Sequence, residues 1–471
     1  MSLRNAWEIA SERIIPSKYS KTLERESEET KMDFIEIPEF SDREDKVIDL
    51  DEEVQAEKDE RRKVEKEAKE GYEEFMESVK IEKTETKTYS EAEQPEVTWA
   101  GNFLDYGGYA RMNRSMAFGL SNMGVRLKIE IDKYLSHVNE ATQKQLGNMT
   151  KIRVAKDTPK VFGCTVPTDM SHAGRKILYT MIETADHVHK DYAGKLNLFD
   201  EIWTPTNYGK KILKESNVYP HVEVMPLGVD PSRYKPSKQK TRVSSALKSF
   251  VFVSIFRWSW RKSPDVLLDA YLNEFSADDD VSLLMVSRAV EATEDRSNEI
   301  ISADFEAIKS NVSKSEEDLP HVALYTNPIP ERRMPDFYNC ADAFVLISRG
   351  EGCGLPYLES GASGLPIIAS NCSGQSDFLK EDNSYLIEPD SYEEVSITGH
   401  LPRLAKSCHF YNGQKFPEFG ENAINNVGKT MRHVVDNYGE AQEKAKKFRN
   451  QILDNFTWDK SVERVYNRLF G

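Results

Sequence analysis

Cysteine is scarce in this 471-residue chain: five residues, Cys164, Cys340, Cys353, Cys372 and Cys408, with no C-x-x-C pair among them. Such scatter argues against a disulfide framework and for reduced thiols in a cytoplasm-like compartment. Long apolar runs are also missing. No stretch approaches the roughly 18 apolar residues of a transmembrane helix, and the opening MSLRNAWEIASERIIPSKYS lacks the basic-then-apolar order of a secretory signal. The expected location is cytoplasmic, free or peripheral to a membrane, although the body lacks the exposed basic-hydrophobic helix that docks on lipid.

Positive charge is the third shortage, with 63 Lys/Arg against 79 Asp/Glu and a net charge of −16. The deficit is concentrated. Residues 1–95 hold 29 Asp/Glu and 17 Lys/Arg, a balance of −12 that leaves only −4 for the rest. A nucleic-acid partner, which needs a basic face, is therefore not expected. In 51–70, DEEVQAEKDERRKVEKEAKE, fifteen of twenty residues are charged and no apolar heptad is present. Residues 1–95 read as a charged extension, helical through Glu/Lys pairs or disordered, unable to bury a core and suited to a protein partner.

What is present begins near Thr98. VRLKIEI, KVFGCTV, KILYTMIE and FDEIWTPT read as short strands, with helical spacing in GGYARMNRSMAFGLSNMG and NYGKKILKESN between them. Residues 222–240, VEVMPLGVDPSRYKPSKQK, read as a strand running into a linker. The alternation then restarts with SFVFVSIF, SPDVLLDAYLNEF, VSLLMVS, VALYTN, RRMPDFYNCA, AFVLIS and LPIIAS. Ser263-Pro264-Asp265 predicts a helix start with Ser at the N-cap and Pro in the first turn. Two runs of alternating strands and helices predict an α/β chain with two doubly wound, Rossmann-like domains facing a cleft. The domain expectation is 1–95 extension, 96–235 first domain, 236–425 second domain, and 426–471 helices that cross back to the first.

The chemistry concentrates in SRGEGCGLPYLESGASGLPIIAS, residues 348–370, where Glu351 and Glu359 flank a glycine-rich turn that leads into a helix. Free backbone N–H groups at such a start donate to sugar or phosphate oxygens. Eight residues at helical rise separate the carboxylates by roughly 12 Å, beyond the roughly 5–9.5 Å of a glycosidase pair. They suit the two ends of one elongated ligand. The Gly350-x-Gly352-x-Gly354 spacing is not the dinucleotide fingerprint, and no Walker A loop occurs.

This E-x7-E segment resembles the retaining glycosyltransferases of the GT-B fold, family 4, the group 1 glycosyl transferases. FVSIFRWSWRKSPDVLLDAY resembles the family's Arg-x4-Lys-Gly segment, with Arg257 and Lys262 at the right spacing and Ser263 in place of Gly. PLGVD (226–230) resembles its hinge, and FTWDKSVERVYNRLF (456–470) its closing helix. The resemblance spans about 98–471. It implies that Glu351, Gly352, Cys353, Gly354 and Leu355 meet the donor sugar, that Glu359 meets the ribose, and that Arg257 and Lys262 meet the diphosphate. Cys353 stands where the family usually has an aromatic, which leaves the donor open. Gly107 and Gly108 resemble the glycine loop that approaches the donor phosphate. Glu183, in IET, aligns with a position beside the donor sugar and acceptor, with His172, His187 and His189 as nearby alternatives. Asp377 matches a family Glu of structural type. His187-x-His189 has no third metal ligand in sight, so no metal site is expected.

The implied activity is metal-independent transfer, with retention, from a nucleoside-diphosphate sugar (UDP- or GDP-sugar) to an acceptor hydroxyl on a saccharide, lipid or protein. Glu183 and Glu351 are the candidate catalytic residues, and no other cofactor is expected. A non-catalytic GT-B nucleotide-binding scaffold and another GT-B enzyme, such as a sugar-nucleotide epimerase, are the rival readings.

Overall fold

The computed structural model describes residues 35–36, 94–132, 138–167, 169–289, 294–327, 329–395 and 411–471. The charged extension expected over 1–95 lies outside them apart from 35–36 and 94–95, as does Cys408.

The first sheet is six-stranded and parallel, in the order β3-β2-β4-β5-β6-β7. It comprises β2 (Glu96–Gly101), β3 (Arg126–Ile131), β4 (Lys160–Gly163), β5 (Lys176–Tyr179), β6 (Glu201–Thr204) and β7 (His221–Val224). The helices α1 (Gly108–Asn122), α2 (Glu140–Met149), α3 (Lys190–Leu196) and α4 (Asn207–Glu215) connect the strands. Both faces of β4 and β6 are buried along their whole length, as expected where helices cover the two sides of a parallel sheet. Asn113 on α1 fastens the strand tips: its Oδ1 accepts from Trp99 Nε1 at 2.9 Å and its Nδ2 donates to Gly163 O at 2.8 Å.

The second sheet has the order β1-β10-β9-β8-β11-β12-β13, parallel except for β1 (Ile35–Glu36), which pairs antiparallel with β10. Its strands are β8 (Phe250–Trp258), β9 (Val281–Ala289), β10 (His321–Tyr325), β11 (Ala343–Leu346), β12 (Ile367–Ser370) and β13 (Tyr385–Ile387). Its helices are α5 (Pro264–Glu274), α6 (Glu294–Lys309), α7 (Met334–Asn339) and α8 (Leu355–Ala362). Strand order reverses between β8 and β11, the crevice where ligands of open α/β sheets bind. The glycine-rich motif follows β11, and the basic motif follows β8.

A two-stranded antiparallel hairpin, β14 (Ser391–Glu394) with β15 (Lys415–Glu418), stands apart from both sheets. After it come α9 (Glu421–Asp436), α10 (Tyr438–Asn455) and α11 (Trp458–Phe470). Helix α11 packs back on α1, where a Cβ on Gly119 would collide with Val462. The chain crosses between the halves at 225–229 and again at 456–458. The crossings are tied by a parallel bridge between Val229 and Thr457 and by Val229 N donating to Phe456 O at 2.9 Å.

Candidate active site

The loop after β8 tightens into a 3-10 turn, Trp260–Lys262, ending at Ser263 with φ +48° and ψ +49°. That left-handed conformation is one glycine adopts without steric cost, which gives a conformational reason for the glycine of the family pattern. Ser263 lies at the N-cap as expected but does not cap the helix with its side chain. Its hydroxyl accepts from Arg349 Nη1 at 3.2 Å instead. The two loops are stitched further by Arg349 N and Ser348 Oγ, which donate to Arg261 O at 2.7 and 3.1 Å. This turn aims Arg261 and Lys262 at the loop after β11.

Glu351 is 4% exposed. Its Oε1 accepts from Lys262 Nζ, and its Oε2 lies 3.8 Å from Arg261 Nη1. Burial pushes the Glu351 carboxyl upward, but Lys262 and Arg261 together hold it below the usual carboxylate range. Lys262 is lowered, chiefly by burial, which Glu351 offsets while Arg261 adds repulsion. Glu351 has two cationic partners against its burial, whereas Lys262 is favoured by Glu351 and more weakly by Glu183 but opposed by both burial and Arg261.

Glu183 follows β5 in the other half. Its Oε1 pairs with Arg261 Nη2 at 3.0 Å, and its Oε2 accepts from Tyr411 OH. Burial lowers the basicity of Arg261, but Glu183, Tyr411 and Glu351 more than restore it, and the guanidinium stays charged. Burial, then the Glu183 charge, raises the Tyr411 phenol well above its ordinary value, so it remains a donor. Close backbone approach requires glycine here: a Cβ on Gly350 would collide with the Glu183 carbonyl, and one on Gly352 would lie 2.5 Å from Met181 Cβ. Tyr109, the residue after Gly108, steadies this loop because its hydroxyl accepts from Met181 N at 2.9 Å.

Helix α8 starts after Gly354, at φ +85°, with Pro356 in its first turn. Glu351 therefore lies before the helix, and Glu359 sits just over one turn inside it. Glu359 is 3% exposed; Arg111 of α1 pairs with its Oε1, and Tyr338 OH donates to its Oε2 at 2.7 Å. Gly108 faces Leu355, whose Cδ1 would lie 3.9 Å from an added Cβ, and Gly107 N donates to Asp105 Oδ1 at 2.6 Å. Cys353 is buried, and burial raises its thiol pKa.

Of the residues singled out from the sequence, Glu183, Lys262, Glu351 and Gly352 meet in one cluster. Gly354, Leu355 and Glu359 continue along α8, with Gly107 and Gly108 at the start of α1 opposite Leu355. Arg257 is exposed at the end of β8, in register with Arg288. The histidines have partners of their own. His172 Nε2 bonds Thr158 O at 2.6 Å, His187 pairs with Asp186 at 2.8 Å, and His189 accepts from Asp191 N at 3.3 Å. Asp377 accepts from Asn207 N at 2.5 Å and Tyr208 N at 3.2 Å, so a carboxylate of the second half caps α4 of the first. Sequence reading missed Arg261, Arg111 and Tyr411. Arg261 was legible only as the neighbour of Lys262; the other two had no local signal.

Residues 248–398 match the family model described as Glycosyl transferases group 1. The lipopolysaccharide core biosynthesis mannosyltransferase LpsB of Rhizobium meliloti is 27% identical over 193 residues, 38% of this chain and 51% of that protein. The mannosylfructose-phosphate synthase of Agrobacterium fabrum is 24% identical over 187 residues, 39% of this chain and 40% of that protein. The chain thus matches about half or less of the length of these relatives. Among solved structures, sucrose-phosphate synthase of Thermosynechococcus elongatus superposes with a TM-score of 0.56 at 13% identity, covering 80% of this chain and 99% of that one. Anabaena HepE, in complex with UDP and glucose, superposes with a TM-score of 0.54 at 10% identity, with the same coverage. The fold is the GT-B architecture of two Rossmann-like domains.

Proposed function

We propose that this chain is a glycosyltransferase that moves a sugar from a nucleoside-diphosphate sugar to an acceptor hydroxyl with retention and without a metal ion. One observation carries the reading: Arg261 and Lys262 converge with Glu351 and Glu183 at the strand-order reversal of the second sheet, beside the glycine-rich turn that starts α8. A diphosphate is the ligand whose charge suits the two cations. In binding it competes with the carboxylates for Arg261 and Lys262, and the exposed Arg257 adds positive charge from the solvent side. As the glycosidic bond to phosphate breaks, the departing oxygen gains negative charge, which Lys262 and Arg261 stabilise. Glu351, released from its cations, accepts from sugar hydroxyls, while Glu359 accepts from the ribose diol farther along α8.

The carboxylate of Glu183 lies nearest the reacting carbon and steadies the positive charge that develops there. Retention follows a front-side path in which the leaving phosphate oxygen takes the acceptor proton. Gly352, Cys353, Gly354 and Leu355 supply backbone to the donor sugar, and Gly107 and Gly108 let the first domain approach its phosphates. A UDP- or GDP-sugar is the proposed donor, and UDP, which HepE of the same fold holds, is the first base to test.

Thermal-shift binding against UDP-, GDP-, ADP- and TDP-sugars, on wild type and on Glu359→Ala, tests this. A rise in melting temperature with one base, lost in the variant, is expected. No shift with any donor at millimolar concentration would overturn the transferase reading, and binding without turnover would favour the scaffold.

A further inference from the structure

The β14–β15 hairpin belongs to neither Rossmann sheet, yet its residues reach both halves at the candidate site. Toward the first half, Lys415 O accepts from Ala185 N at 2.8 Å, Lys415 N donates to Asp186 Oδ1 at 3.0 Å, and Tyr411 OH donates to Glu183. Toward the second half, Glu418 lies 3.4 Å from Arg349, whose guanidinium sits 5.0 Å from the Trp260 ring. An aromatic chain joins the two sides: Tyr411 to Phe416 at 4.9 Å between ring centres, and Phe416 to Trp260 at 5.5 Å. Phe416 itself is fully buried. A hairpin fixed in this way, by backbone bonds on one side and an ion pair with ring packing on the other, holds its hydroxyl in a defined place.

We propose that the segment 411–418, which ends in β15, is a wall of the active site and that Tyr411 is a positioning residue for the Glu183 carboxylate, an inference that rests on the transferase reading above. Glu183 is held by two donors of different kinds, Arg261 on one oxygen and Tyr411 on the other. Arg261 also faces Glu351 and the diphosphate position, so it has a second anion to turn to when a donor binds. Tyr411 also bonds Arg261, but as a neutral phenol it gains little from a phosphate that Lys262 and Arg261 already neutralise. It keeps the carboxylate aimed after the guanidinium has turned away. Its contribution is therefore larger in the transition state than in the bound ground state, which places its effect in kcat rather than KM.

The test is steady-state kinetics of Tyr411→Phe with the donor that shifts the wild type most, alongside Tyr392→Phe, an exposed tyrosine of the same hairpin. Tyr411→Phe is expected to lower kcat about 10- to 100-fold, as loss of one hydrogen bond to a charged group does. Donor KM stays within about threefold, donor-induced thermal shift is kept, and Tyr392→Phe behaves as wild type. Three results would overturn the inference: an unchanged kcat in Tyr411→Phe, a loss carried equally by KM, or the same loss in Tyr392→Phe. In each of these the wild type still binds and turns over its donor, so the transferase reading stands. A wild type inert toward every donor overturns both together.

Discussion

Glu351 and Glu359 are eight positions apart and almost equally buried, yet they are neutralised from opposite sides of the molecule. Glu351 meets Lys262 and Arg261 from its own half, whereas Glu359 meets Arg111 from the other. The first pair is set by one sheet and its two loops, and it persists however the halves are arranged. The second exists only when α1 lies against α8. One carboxylate is therefore wired to the chemistry and the other to the relation between the halves, although the sequence motif presents them as equivalents.

The strongest way to break this contrast is Glu351→Gln. It leaves Lys262 buried without its anion, and kcat/KM should fall about 10²–10³-fold, the scale of losing a preorganised electrostatic partner. Stability should drop by about 3 kcal/mol, the lower end for breaking a buried ion pair. Initial rates and urea melts check both, and an active, fully stable variant would sink the assignment. Arg111→Ala should instead act on coupling between the halves. Stability is expected to fall by about 2 kcal/mol, since Glu359 keeps its bond from Tyr338, with urea unfolding broadening toward two transitions; a single sharp transition at the wild-type midpoint would show that the pair does not couple them.

Acid sharpens the same distinction. Glu331 bridges Arg114 of α1, at 3.3 Å, and Arg233, at 2.8 Å. Burial raises its pKa, but the three arginines Arg114, Arg233 and Arg111 bring it below the usual range. For a carboxylate depressed on folding, the stabilisation is complete above the unfolded value near 4.3 and is lost as pH falls through the folded value. The melting temperature should thus hold from pH 7 to about 5 and fall below about 4, with a shallower fall in Glu331→Gln. An identical slope in the variant would remove Glu331 from the acid response. The smallest effect is expected from Asp377→Ala, which uncaps α4 from across the domain boundary: about 1 kcal/mol by urea melt, with no change in kcat.

Much of this was legible in the sequence because it is local. Alternating apolar runs reported parallel strands buried on both faces, and the glycines around Glu351 reported a backbone that must pass close to another loop. Ser263 could be placed at a helix start but not in its left-handed turn, because its hydroxyl is bonded to Arg349, 86 positions away. Tyr411 and Glu183 are separated by 228 positions, and the hairpin that joins them has no core-facing stripe in β14, whose four residues are all exposed. The basic spacing pointed to Arg257, while the guanidinium that meets both carboxylates is Arg261. A tight 3-10 turn, which no periodicity encodes, brings Arg261 to Glu351 and Glu183.

The double crossing between the halves has a mechanical consequence. Two strands side by side, bridged at Val229 and Thr457, form a strap and not a single tether. A strap resists twist and sliding, because either would shear the bonds between its strands, and it yields most easily to bending across its width. Gly228 passes too close to Thr457 and Trp458 for any side chain to fit between them, which keeps the strap thin at its bend. Relative motion of the two halves is therefore channelled into bending across this strap, which keeps the carboxylates of the second domain in line with the first.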